Sequence, residues 1–270
     1  MFRSLCTILL LAGTLAAFAP RSPASAQKGT SVTDIPSDVT QQLAPSGKLR
    51  AAINLGNPVL AQGTPDAPRG VTVDLARELA RRTGLSLELV PFDAAGKVFE
   101  ALKRDAWDVA FLAIEPVRAA EIAFTAPYVI IEGVYLVPKD SPLKTVAEVD
   151  RPGVRIAVNK NSAYDLFLTR TLKHAELVRG DNGVQLFVDR KLEATAGVKQ
   201  PIAAYAKAHP EVRLIDGRFM EIRQAMGVPQ GRPAAADYLK KFVEEMKASG
   251  FVADALKRSG QADAAVAPAE

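Results

Sequence analysis

Residues 107–129 read WDVAFLAIEPVRAAEIAFTAPYV. The run from Val109 to Ile114 is apolar on both sides, the mark of a strand buried between two layers. It stops at Glu115-Pro116, and proline suits the first position of a helix. Arg118 then falls in the first helical turn. Helix starts carry partial positive charge and favour acids, so a cation there needs another explanation.

The flanking sequence repeats the unit that ends in this strand. Leu49–Asn54 is a short apolar strand. VTVDLARELARRTG puts Val71, Leu75, Leu79 and Ala80 on one helical face and closes on Gly84 as a C-cap. LSLELVP alternates as a half-buried strand, and AGKVFEALKRD is a helix. PYVIIEGVYLVPKDS is a long strand that leaves this unit and opens a second. There VRIAV, AELVR, EATAGV and VRLI are strands, while SAYDLFLTRTLKH, VQLFVDRK and PIAAYAKAHP are helices. After MGVPQGRP come two amphipathic stretches, AADYLKKFVEEMKAS and FVADALKRSG. Alternation of this kind predicts parallel sheets with right-handed crossovers. Two such units joined by strands near Val134–Pro138 and Met226–Pro229 predict two lobes and a cleft.

The ends read differently. Arg3, the apolar stretch Leu5–Ala19 and the small-x-small site Ala24-Ser25-Ala26 have the form of a secretory signal peptide over residues 1–26. Residues 27–45 read as a flexible leader and 262–270 as a disordered tail. Lobe 1 is expected over 46–135, completed by 230–261, and lobe 2 over 136–229. Cys6, inside the signal, is the single cysteine, so the exported chain must be held by its core rather than by disulfides. No second run is long enough to span a bilayer, and a soluble product is expected.

Lysine plus arginine number 34 against 30 acids. Without Arg3 and Arg21 the balance is 32 to 30, which gives no electrostatic case for nucleic acid. His174 and His209 lack partners at metal-ligand spacing, and no P-loop or G-x-G-x-x-G motif occurs. Neither a metal nor a cofactor is expected.

In open α/β sheets, ligands sit beyond the carboxyl ends of strands. The segments there are NLGNPVL, FLAIEPVR, NKNSAYD and AGVKQ. Their order, from SGKLRAAINLG to SGFVADALKRSG, resembles the extracytoplasmic solute-binding proteins of family 3, the polar amino-acid receptors of ABC importers. The most specific part is WDVAFLAIEPVRAAEIAFTAPY. It is similar to the family's apolar strand, polar turn, Pro-x-Arg element and F-(S/T)-x-P-Y sequence. The resemblance implies a two-lobed α/β fold, each lobe a mostly parallel sheet flanked by helices, joined by a two-strand hinge. It also implies a small carboxylate ligand (an amino acid or related organic acid), a membrane ABC permease complex as partner, a monomer, and a periplasmic location.

Carried over residue by residue, the resemblance assigns the ligand carboxylate to Arg118 and the Ala113 backbone N–H. A guanidinium fork and helix-start N–H groups suit a planar carboxylate. The alternative is a solvated Arg118, or one paired with Glu115 or Glu121. Asn57 stands where the family stacks an aromatic. Phe111 matches a second contact position or packs in the core. Asn159 and the turn Asn161-Ser162-Ala163 match the lobe 2 contact, where Ser162 and Asp165 also form a capping pair. Val198 stands where amino-acid receptors place the aspartate that binds the ligand ammonium. Lys199, next to it, either meets a second anionic group or is a solvated helix-start residue. Relatives on this scaffold include periplasmic enzymes of the cyclohexadienyl dehydratase kind and sensor modules. Glu115 and Glu132 are the glutamates placed nearest a cleft, neither with a visible partner for acid–base work, so a receptor is expected rather than an enzyme.

One expectation needs no ligand. The exported protein should have the intact mass of Gln27–Glu270. Recovery of full-length cytoplasmic chain as the only species would contradict the signal reading.

Overall fold

The computed structural model describes residues 35–270; the signal peptide and the first part of the leader lie outside them. The described chain opens with α1 (Ser37–Leu43), β1 (Leu49–Asn54), a small hairpin of β2 (Gln62–Thr64) and β3 (Ala67–Arg69), then α2 (Val71–Thr83), β4 (Leu87–Phe92), α3 (Ala95–Ala101), β5 (Val109–Ala113) and α4 (Pro116–Ala119). The second run is β6 (Ile122–Pro138), β7 (Arg155–Asn159), α5 (Ala163–Thr171), β8 (Glu176–Gly180), α6 (Gly183–Asp189), β9 (Ala194–Val198), α7 (Lys199–Ala208) and β10 (Val212–Leu214). The chain returns through β11 (Met220–Pro229) to α8 (Pro233–Ala248), α9 (Phe251–Arg258) and β12 (Ala265–Val266).

β1 pairs in parallel with β4 and β5, and β7 in parallel with β8 and β9. Between these two parallel sets lie β6 and β11, antiparallel to each other. The strand path is β4-β1-β5-β11-β6-β9-β7-β8. The fold is thus the expected α/β pair of mostly parallel sheets with a two-strand connection. The crossing points differ from the expected ones. Met226 and Gly227 pair with Phe111 and Ala110 of β5, so they lie inside lobe 1, and β11 crosses before Gln224, over Met220–Arg223, instead. β6 begins pairing with β9 at Gly133. β11 stays paired with β6 from Met220 to Pro229, so no turn or break marks the crossing in the sequence.

Alternation along β5 divides the lobe 1 core. Val109, Phe111 and Ala113 face the layer containing α2, α8 and α9, while Ala110 and Leu112 pack with Val98, Ala101, Trp107 and Ile122. Trp107 is fully buried, and its Nε1 donates to the Val98 carbonyl at 2.8 Å. Gly84 closes α2 in the left-handed conformation, φ 69°, as its position predicts.

Two segments that the sequence leaves without structure, one in the leader and one in the tail, form regular elements. Residues 37–43 of the leader form α1, which buries Val39 and Leu43. It is held to α8 through Gln42, whose carbonyl accepts from Arg232 at 3.1 Å and whose side chain accepts from the Ala235 N–H at 3.2 Å. One i, i+4 apolar pair among polar residues is a faint signal. The tail adds β12 to β6 at Val129 and Ile130, and the Ala267 N–H donates to the Tyr128 carbonyl at 3.1 Å. Backbone pairing fixes this segment, and its alanines show no hydropathy pattern.

Lobe 1 is tied by one acid. Asp108, fully buried, accepts from Arg50 N and Nε at 3.1 and 2.9 Å and from Arg232 Nη1 at 3.0 Å. It thereby joins the start of β1 to the start of α8. Asp108→Ala leaves two largely buried guanidinium groups with only the exposed Asp105 as counter-charge and should lower unfolding free energy by about 3 kcal/mol. Urea denaturation checks this; an unchanged midpoint would show that the two arginines find other partners.

Candidate ligand-binding cleft

The carboxyl ends of β1, β4 and β5 face those of β7, β8 and β9 across a cavity of about 340 Å³. That volume suits a metabolite-sized ligand. Lobe 1 contributes Asn54 and Asn57 after β1, Asp93 after β4, and Leu112, Ala113 and Arg118 around the end of β5. Lobe 2 contributes Asn159, Ser162, Ala163 and Tyr164, then Asp181 and Asn182 after β8, and Val198 at the end of β9. Gln224 enters from the crossing strand β11.

Arg118 is the dominant charge. Its residue is 1% exposed. Pro116 starts the four-residue helix α4 at once, which turns Arg118 back beneath the end of β5. Nη1 donates to the Ala113 carbonyl at 3.2 Å and Nη2 to the Asn161 carbonyl of lobe 2 at 2.9 Å. Nε has no partner. Burial pulls the guanidinium down to about 10, opposed by the Glu115 charge, so it stays protonated at neutral pH. Neither expected acid pairs with it. Glu115, 3% exposed, binds Arg170 of α5 at 2.6 Å, and Glu121 forms no salt bridge. Among the described residues no carboxylate lies within ion-pair distance of Arg118. A buried charge without a counter-charge is costly, and an arriving anion offsets that cost.

Six of the eight sequence-derived contacts line this cavity: Asn57, Ala113, Arg118, Asn159, Ser162 and Ala163. Several also hold its walls. Asn57 Oδ1 accepts from the Val59 N–H at 3.3 Å. Asn159 Oδ1 accepts from the Gly183 N–H at 2.7 Å, fastening β7 to α6. Ser162 Oγ caps α5 by accepting from the Asp165 N–H at 3.1 Å, so the capping role applies at a residue that also lines the cleft.

Phe111 and Lys199 do not line the cavity. Phe111 is in the core, edge-on to Tyr128 with ring centroids 6.2 Å apart; strand alternation turns it away from the face on which Leu112 meets the cleft. Lys199 begins α7 but binds Glu132 of β6 at 2.6 Å, and Glu132 also takes Arg218 at 2.9 Å. Both partners hold the Glu132 carboxyl below its ordinary range, Lys199 most. Glu132 is remote in sequence, so this claim on Lys199 was not visible there.

Sequence reasoning missed Asn54, Asp93, Asp181, Asn182 and Gln224. The first four directly follow or end strands, and the rule that ligands sit at strand ends could have found them. Gln224, in the interior of β11 and 6% exposed, had no such signal. Asp93 binds Lys97 at 2.7 Å. Among the described residues no His, Cys, Asp and Glu cluster suited to a metal occurs, and no helix is long and apolar enough to cross a membrane.

Solved structures share this architecture. A mutant of ArgBP from T. maritima aligns with TM-score 0.69 at 21% identity, covering 82% of this chain and 99% of that one. AbpA of Streptococcus pneumoniae, bound to L-arginine, aligns with TM-score 0.69 at 18% identity over 82% and 98%. An ancestral amino-acid-binding protein described as a precursor of cyclohexadienyl dehydratase aligns with TM-score 0.66 at 22% over 81% and 97%. Among curated proteins, cyclohexadienyl dehydratase of Pseudomonas aeruginosa is 26% identical over 151 residues, 53% of this chain and 56% of that protein. The virulence sensor protein BvgS of Bordetella pertussis is 28% identical over 133 residues, 49% of this chain and 11% of that protein. Residues 49–261 match the bacterial extracellular solute-binding proteins, family 3, and the chain belongs to that family.

Proposed function

We propose that this chain is a periplasmic receptor that closes on a small carboxylate and presents it to a membrane ABC permease complex. The observation that carries this reading is Arg118, a buried guanidinium at the cleft with an unpartnered Nε and no carboxylate of its own. A bidentate carboxylate from outside would supply the missing anion. Amino-acid-binding relatives with the same fold support the ligand class, and the signal-like residues 1–26 support export. The chain acts as a monomer in this reading.

A second reading rests on the match to cyclohexadienyl dehydratase. The arrangement favours retention over turnover. Glu115 and Glu132 both sit in ion pairs and neither lines the cavity. The carboxylates that do line it are Asp93, bound to Lys97, and the exposed Asp181. Recovering a bound compound chemically unchanged after long incubation supports the receptor; a product lacking the elements of water supports the enzyme.

Arg118→Ala should keep the fold and weaken binding by about 2–5 kcal/mol, the range for removing one partner of a desolvated charge pair. Arg118→Lys should be nearly as harmful because the fork is lost. Calorimetric titration with compounds found by thermal-shift screening checks both, and unchanged affinity in Arg118→Ala would remove Arg118 from the site.

Ligand class follows from the distal wall. At the end of β9 Val198 gives an ammonium no charge to meet; the lining acids are Asp93, bound to Lys97, and the exposed Asp181 after β8, while Asn54, Asn159 and Gln224 offer neutral amides. Glu193 and Asp189, the other acids near β9 in sequence, bind Arg155 and Gln185 instead. Small organic acids or modified amino acids should therefore raise the melting temperature more than the common L-amino acids do. At about a hundredfold its dissociation constant a ligand adds about 2.7 kcal/mol, enough to read. Strong shifts with common amino acids and none with organic acids would contradict this.

A further inference from the structure

Asn161 does not line the main cavity, yet it touches lobe 1 through both its backbone and its side chain. It stands in the left-handed region at φ 58°, in the turn between β7 and α5, held there by its N–H donating to Asp165 Oδ2 at 2.8 Å. Its carbonyl accepts from Arg118 Nη2, and its Nδ2 donates to Glu100 Oε1 at 3.2 Å. Its Cβ lies against the backbone of Gly96 in α3. A Cβ built on Gly96 would fall 2.7 Å from that of Asn161 and 3.3 Å from the Lys160 carbonyl oxygen. Neither obstacle is a flexible side-chain end, so the lobes themselves would have to move apart. The Glu115–Arg170 pair closes the same side of the cleft.

Gly96 has no conformational need to be glycine. It lies in a helix, outside the positive-φ set, where alanine is the better helix former. Its missing side chain serves the contact with lobe 2.

We infer that Asn161 is a positioning residue for Arg118 and, with Gly96 as its seat, the latch of the closed form. The guanidinium is fully oriented only when lobe 2 brings the Asn161 carbonyl to it. Carboxylate capture and closure are therefore coupled through one side chain, and the chain's own contacts populate the closed form measurably before ligand arrives. This rests on the reading of Arg118 as the ligand's partner, but the latch can be tested without any ligand.

Spin labels at Arg77→Cys on α2 and Lys207→Cys on α7 of the exported protein, which the cleavage expected above leaves without Cys6, report the distance between lobes. The ligand-free protein should show a short-distance population that Gly96→Ala removes. Asn161→Gly keeps the left-handed backbone and the carbonyl acceptor, so it should retain that population. The Gly96→Ala, Asn161→Gly double variant should largely regain it. Gly96→Ala should melt no lower than the parent. Any of the common L-amino acids or small dicarboxylates that binds the parent should bind Gly96→Ala about tenfold more weakly, through faster dissociation, because the competent form is depleted. A parent without the short population, a Gly96→Ala distribution identical to it, a double variant that stays open, a lowered melting temperature or an undiminished affinity would each overturn the latch. If no compound binds the parent, the receptor reading fails while the distance populations still decide the latch.

Discussion

A buried guanidinium at the cleft with no carboxylate in ion-pair distance among the described residues constrains everything around it. Arg118 is kept charged while burial works against the charge, and two backbone carbonyls, Ala113 and Asn161, share the load. Carbonyl dipoles only partly replace hydration, which is the physical basis for proposing an arriving anion there. Holding the cation there needs several things together. β5 must end at Ala113, Pro116 must start the short helix α4 at once, and Glu115 must be claimed elsewhere. Arg170 does the last from the opposite lobe. Were Glu115 turned to Arg118, the guanidinium would have its counter-charge within lobe 1.

The frame that presents this cation is a sheet with two parallel ends and an antiparallel middle. Parallel strands put all their carboxyl ends on one side, so each lobe offers one functional edge. β6 and β11 join the lobes by extended backbone, which bends with little loss of packing. Lobe 1 is secured behind the site by Asp108, which binds two arginines far apart in sequence. Lobe 2 brings Asn161 against Gly96, the point at which the two edges touch. A rigid edge on each side of a compliant ribbon is the condition for hinge closure.

The alternation of strands and helices was legible because each element carries a strong period. Leu75 and Leu79 on α2, or Leu87 and Leu89 on β4, announce their faces. Arg118 was legible because a cation in the first turn after a buried strand contradicts the usual charge preference of helix starts. Other features were not legible, for physical reasons. Phe111 and Leu112 are equally apolar neighbours, and only the packed layers decide which one meets the cleft. Lys199 is claimed by Glu132 through a tertiary contact between α7 and β6. The closing segment 262–270 is held by backbone pairing, which leaves little trace in side-chain hydropathy. Gly96 showed no turn signal because its role lies in the other lobe.

The resemblance of this scaffold to both receptors and a dehydratase leaves one issue above the rest, whether the cleft holds a carboxylate on Arg118. The most direct measurement is mass spectrometry of small molecules released from gently purified protein, parent and Arg118→Ala side by side. This account predicts a carboxylic acid released from the parent in near-stoichiometric amount and missing from the variant. A neutral or cationic compound released equally from both would contradict it.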